Sequence, residues 1–209
     1  MKANDLKRFQ IIEWTVGICV SMVMISAWTI SRNALAGNLS VYDVFPVFGL
    51  LAFGLMWSHY ILGSIRRFMN LAEQKYLIYW RVSTGLVLFL LVAHPVLLNG
   101  ALISDGLGLP PASYDAAYGS KAIILLLGSA ALVVFLAFEL RRWFRDKTWW
   151  KYIDGAQAFA MAAIFIHALI LGRELTMVWF ATIWWMLGIS LAVSIVYNRL
   201  YDAEKGNNR

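Results

Sequence analysis

The sequence predicts an all-α integral membrane bundle of six transmembrane helices, and three observations carry that prediction. Of 209 residues, 61% are hydrophobic and only 14% are charged, too little charge to coat a soluble domain of this size. Apolar runs of 18 or more residues recur along the chain, each long enough to cross ~30 Å of hydrocarbon at ~1.5 Å per helical residue. The basic residues fall in short blocks between those runs, the distribution that orients a membrane protein. The formal charge of +6 is therefore read as topology, and nucleic acid is not an expected partner.

The elements follow in order. Residues 1–9 are short, polar and basic, with Lys2, Lys7 and Arg8. The first span covers about Gln10–Ile30; it is too long for a cleaved signal peptide and reads as a retained helix. It holds Cys19, the only cysteine, so disulfides and thiolate clusters are excluded. A polar link, 31–39, leads to the second span at about Val41–Gly63, where Pro46 is tolerated near the start. Arg66, Arg67 and Lys75 mark the next connection, and the third span is about Trp80–Leu98.

The longest connection, Asn99–Ser120, contains Gly, Pro-Pro, Asp and Tyr and reads as a loop. The fourth span runs from about Lys121 to Leu140. The block RRWFRDKTWWK after it mixes cations with tryptophans, as at a headgroup boundary. The fifth span is about Tyr152–Leu171, and a short turn leads to the sixth at about Thr176–Tyr197. The tail, Asn198–Arg209, is polar and expected to fray. Fifteen of the 18 Lys and Arg fall on the side of the two termini, which predicts cytoplasmic termini and a multi-pass protein of the cell's inner (plasma) membrane. The chain reads as a single transmembrane domain, 1–209.

Only three histidines exist: His59, His94 and His167. Ionisable side chains inside spans are expensive and face the bundle interior, so each is a candidate site residue. The plain alternative for any one of them is a neutral imidazole bonded to a neighbouring helix. Depth separates the three. His94 lies 13 residues beyond Arg81, and His167 13 beyond Asp154, both on outward-running helices. Each therefore stands ~20 Å above the inner boundary. His59 lies seven residues before Arg66 on an inward-running helix, ~10 Å from the inner surface. His94 and His167 can share a ligand; His59 cannot join them.

Two neutral imidazoles on separate helices inside hydrocarbon suit axial ligation of one b-type heme. Zinc would want a third or fourth N, S or carboxylate ligand at that level, and the sequence offers none. Ala163, Ala160 and Ala156 stand at i−4, i−7 and i−11 from His167, a smooth face for a flat macrocycle or for close helix packing. Pro95 frees the carbonyl of Leu91 and can kink the third helix to aim His94. In the inner half, His59 and Asp154 could form a polar proton-handling or quinone site, or satisfy one another structurally.

Arg81 and Gly85 ahead of His94, and Trp150 and Asp154 ahead of His167, resemble the ferric reductase-like transmembrane domain. The resemblance covers about 41–172 and rests on the R-x3-G-x8-H run, the W-x3-D-x12-H run and the six-helix layout. That family includes the heme-binding membrane subunit of the periplasmic methionine sulfoxide reductase system and the membrane half of NADPH oxidases. The resemblance implies transmembrane electron transfer through b-type heme, from a flavin or quinol to an outer acceptor or redox partner protein. The chain departs from the family at Asp154 and Arg81, where members carry the ligands of a second, inner heme. It therefore implies the outer heme alone, with quinol favoured over cytosolic NADPH as donor. No dinucleotide fingerprint is present. A heme-free six-helix scaffold or transporter is the competing reading, although the inverted repeat or paired broken helices of a transporter are not visible.

Overall fold

A computed structural model describes residues 3–33, 37–69, 78–139 and 147–207. The chain forms six long helices: α1 (Ala3–Ser31), α2 (Val41–Phe68), α3 (Ile78–Ser104), α4 (Ala122–Glu139), α5 (Trp150–Leu171) and α6 (Val178–Asn207). All six are long and apolar enough to cross a membrane, and no strand occurs among the described residues. This is a multi-pass helical membrane protein. Large apolar side chains such as Phe89, Val133 and Val193 point outward and stay exposed, where lipid tails rather than water are the fitting surroundings.

Local chemistry sets the helix boundaries. Ser40 caps α2: its hydroxyl accepts from the Asp43 amide at 3.3 Å, and the Ser40 amide donates to Asp43 Oδ2 at 3.2 Å. Two orphan amides are thereby satisfied together. Pro46, one turn further on, cannot donate to the Tyr42 carbonyl; Arg32 Nη1 donates to that carbonyl instead, at 3.5 Å.

Packing builds two hairpins, α2 with α3 and α4 with α5, with α1 and α6 both lying against α2. An aromatic stack joins the hairpins to α6. Trp184 lies 4.4 Å from Phe53 and 5.6 Å from Phe165, centroid to centroid, nearly parallel to the latter. Trp28, near the end of α1, donates to the Asp43 carbonyl at the start of α2, so these two helices run in opposite directions. Arg67, near the end of α2, donates to Asn198 and Asp202 of α6, so these two run together. The first residues of α1 and the last of α6 therefore share one end of the bundle, here the terminal end. The opposite, loop end is knotted by Arg32, which donates to Glu174 at 3.1 Å and to Asp43 at 3.3 Å.

Two expected irregular segments are ordered helix. The connection 99–120 contains the end of α3, a short helix at Ala112–Tyr118 and a 3-10 turn at Gly119–Lys121. Its Gly and Pro residues confine the irregular part to the few residues between, while the run ASYDAAY is free to coil. The tail expected to fray continues α6 to Asn207. Arg67 holds it through Asn198 and Asp202, and Arg199 Nη2 donates to the Asp154 carbonyl. Lys75 and residues 141–146 of the basic, tryptophan-rich block lie outside the described residues.

Candidate functional site

The histidine on α3 is held by the helix beside it. His94 Nδ1 donates to the carbonyl of Phe45 on α2 at 2.9 Å. The imidazole can come this close because Gly49 has no side chain: a Cβ there would sit 2.9 Å from His94 Cε1. In a helix the carbonyl of residue i already pairs with the amide of i+4. Removing the side chain at i+4 exposes that carbonyl to a second donor from a neighbouring helix.

The second hairpin repeats the device. His167 Nδ1, on α5, donates to the carbonyl of Ile124 on α4 at 2.8 Å. Gly128 stands four residues after Ile124, and a Cβ there would sit 2.7 Å from His167 Nδ1. A bond from Nδ1–H to a carbonyl fixes both the tautomer and the ring plane, leaving Nε2 unprotonated with its lone pair available. Each hairpin thus presents one preset imidazole.

Both imidazoles and both glycines line one cavity of about 410 Å³ that extends towards the loop end. That volume lies within the range of ~300–1,000 Å³ that holds small-molecule and cofactor ligands. The walls are mostly apolar, and the loop-end rim carries Arg32, Arg173, Glu174 and Tyr118. Trp184 forms part of the lining; its indole Nε1 is buried and has no hydrogen-bond partner among the described residues. Buried donors normally find acceptors, so this N–H fits an occupant of the cavity. Three features agree with a porphyrin: two oriented imidazole nitrogens on opposite hairpins, a glycine beside each, and an orphaned donor in the wall.

A second cavity, of about 280 Å³, lies towards the terminal end and is lined by His59, Trp80 and Gln157 among others. Met56, Leu91 and Phe135 line both cavities and form the partition between them. His59 Nε2 is 2.7 Å from Ser83 Oγ, and its ring stacks on Trp80 with centroids 4.6 Å apart. Trp80 Nε1 in turn donates to Glu13 Oε1 at 2.8 Å. Glu13 is wholly buried, and its second oxygen has no partner among the described residues.

The site residues expected from sequence fall into three groups. His94 and His167 share a cavity, and His59 lines the other one. Ala156, Ala160 and Ala163 do not appear in the lining of the loop-side cavity; on α5 that lining comprises Ile164, His167, Ala168 and Leu171. The alanine stripe descends below the cavity, where Ala160 is buried in the core and Ala163 packs against it. Asp154 does not line the terminal-side cavity with His59; its Oδ1 accepts from Trp150 Nε1 at 3.0 Å. Gln157, three residues further along α5, is that helix's polar contribution to the lining.

Sequence reasoning missed Gly49, Gly128, Gln157 and Glu13. Glu13 carried a signal, as the one acidic residue inside the first apolar run. The glycines carried none without knowledge of which helices pair. Among the described residues no group of three or more His, Cys, Asp or Glu side chains could hold a metal ion. No protein-family model, curated protein or solved structure matches the chain.

Proposed function

We propose that this protein is a membrane b-type cytochrome that passes electrons through one heme held by His94 and His167. The supporting observation is the duplicated lodging of the two histidines, each bonded through Nδ1 to a backbone carbonyl over a glycine, on the walls of one cavity. A bound heme would supply an iron that cycles between ferric and ferrous states. The protein holds the two Nε2 atoms in place, lines the macrocycle's space with apolar side chains and keeps water from it. Arg173 and Tyr118 at the rim suit the porphyrin's carboxylates. With the termini in the cytoplasm of an inner-membrane protein, the loop end faces outward, and electrons leave there for an acceptor or redox partner. The donor is a lipid quinol or a flavin.

The test is a dithionite-reduced minus oxidised spectrum of the detergent-purified protein, with heme quantified per chain. One low-spin b-type heme per chain is expected, and His94→Ala and His167→Ala should each abolish it. A full complement of low-spin heme in either variant would overturn the paired-ligand site. No heme after expression with ample heme supply would remove the cytochrome reading altogether.

A further inference from the structure

We propose that the terminal-side cavity holds one anionic phospholipid of the adjacent leaflet, its phosphate on the free edge of Arg67 and one acyl chain passing out between the hairpins at Leu88. Nothing in this site depends on what occupies the loop-side cavity.

The head end is a preset anion site. Arg67 stands in the last turn of α2 and lines the cavity. Among the described residues its Nη1 makes all of its hydrogen bonds, to the backbone and side-chain oxygens of Asn198 and to Asp202. The Tyr201 ring centroid lies 5.5 Å from the guanidinium carbon. The group is thus held in place while the edge formed by Nε and Nη2 stays unused. Two parallel N–H donors on one edge are the fork that grips a phosphate through two oxygens. Asn198 is set by the same contact: its Oδ1 accepts from Arg67, so its amide nitrogen keeps both hydrogens to give. Gln157 adds a second amide to the lining from α5. Asp202 takes only Nη1 and is 63% exposed, so it offsets the cation weakly. One cation and two neutral amides suit a head of net negative charge.

The chain end is apolar and lateral. The cavity lies between the hairpins, with α3 on one side and Phe135 and Phe138 of α4 on the other, and α3 and α5 are not closely packed on each other. Leu88 lines the cavity and is 37% exposed on the lipid-facing surface of the bundle. It stands ten residues beyond Ile78, where α3 begins, ~15 Å deep at helical rise. That is half of a ~30 Å hydrocarbon core, the depth that one leaflet's acyl chain spans. A volume of about 280 Å³ lies just below the range of ~300–1,000 Å³ typical of sites for whole small molecules. It takes a length of one chain and leaves the rest of the lipid in the leaflet. His59 is wall here: its Nε2 is bonded to Ser83 and its face is stacked on Trp80.

The test titrates delipidated protein in detergent with phosphatidylglycerol, phosphatidylcholine and inorganic phosphate, and counts bound molecules by native mass spectrometry. The wild type should retain one phosphatidylglycerol per chain and hold it more tightly than phosphatidylcholine. Gly63 lines the cavity, and a Cβ added there meets nothing within 4 Å, so Gly63→Leu fills the chain's space without a clash at the first added atom. It should weaken phosphatidylglycerol binding about tenfold or more. Arg67→Lys keeps the charge but loses the fork, and should weaken it about tenfold as well. Should Arg67→Lys fail to fold, Gly63→Leu decides alone. Equal affinity in the wild type and Gly63→Leu would overturn the proposal and leave only the surrounding lipid belt. Loss in Gly63→Leu with full affinity in Arg67→Lys would overturn the phosphate contact, and equal retention of phosphatidylcholine would overturn the anionic head. Tight binding of inorganic phosphate with no lipid retained would assign Arg67 to a free anion and overturn the lipid.

Discussion

The two cavities hold histidine in opposite ways, through Nδ1 in one and through Nε2 in the other. His94 and His167 spend Nδ1 on a backbone carbonyl of a rigid helix and lie over a glycine. His59 spends Nε2 on a serine hydroxyl and lies flat against a tryptophan. A carbonyl only accepts, so it puts the hydrogen of His94 and His167 on Nδ1; the Ser83 hydroxyl gives its own hydrogen to the Tyr79 carbonyl at 2.7 Å and so accepts from His59 Nε2. The loop-side cavity is thus built to present a fixed lone pair. In the terminal-side cavity the corresponding nitrogen of His59 is committed to Ser83.

The largest effect that could break this comparison is on cofactor content. His94→Ala or His167→Ala should empty the loop-side site completely, whereas His59→Ala should leave heme per chain unchanged in the reduced-minus-oxidised spectrum. Equal losses from all three would erase the distinction. Next in size is the loop-end knot. Arg32→Ala leaves Glu174, 1% exposed, without its cation, and breaking one side of such a buried pair costs about 3–5 kcal/mol. Thermal unfolding in detergent should register the loss as a midpoint several degrees below that of the wild type.

A finer test uses glycine alone. Gly49→Ala and Gly128→Ala each place a methyl within 3 Å of an imidazole atom, so the ring must move off its carbonyl. Such overpacking costs about 1–3 kcal/mol, which should appear as roughly tenfold weaker heme retention or an altered low-spin spectrum. Gly63→Ala makes the same chemical change into open space and should leave both unchanged. The smallest expected effect is at Asp154. Asp154→Ala removes one acceptor from Trp150, worth about 0.5–1.5 kcal/mol, with no change in heme.

Much of this architecture is legible in the sequence, for a physical reason. Six spans announce themselves because hydrocarbon demands long apolar runs, and the equal depth of His94 and His167 follows from helical rise. The partners of those histidines were not legible. Phe45 and Gly49 lie 49 and 45 residues from His94, and only helix pairing makes them neighbours. The alanine stripe on α5 looked like a porphyrin face because periodicity fixes a side of a helix but not how far up it a cavity extends. Polar composition suggests fraying for the tail, yet polarity there serves contacts with Arg67.

The glycine-backed carbonyl has a further consequence, for biogenesis. Each histidine is fixed by the helix that directly precedes it in the chain, so α2–α3 and α4–α5 each finish half of the site on their own. A hairpin can leave the insertion machinery with its imidazole already oriented, before the other hairpin is made. What remains for assembly is the meeting of two finished halves, with α6 closing over them through Trp184.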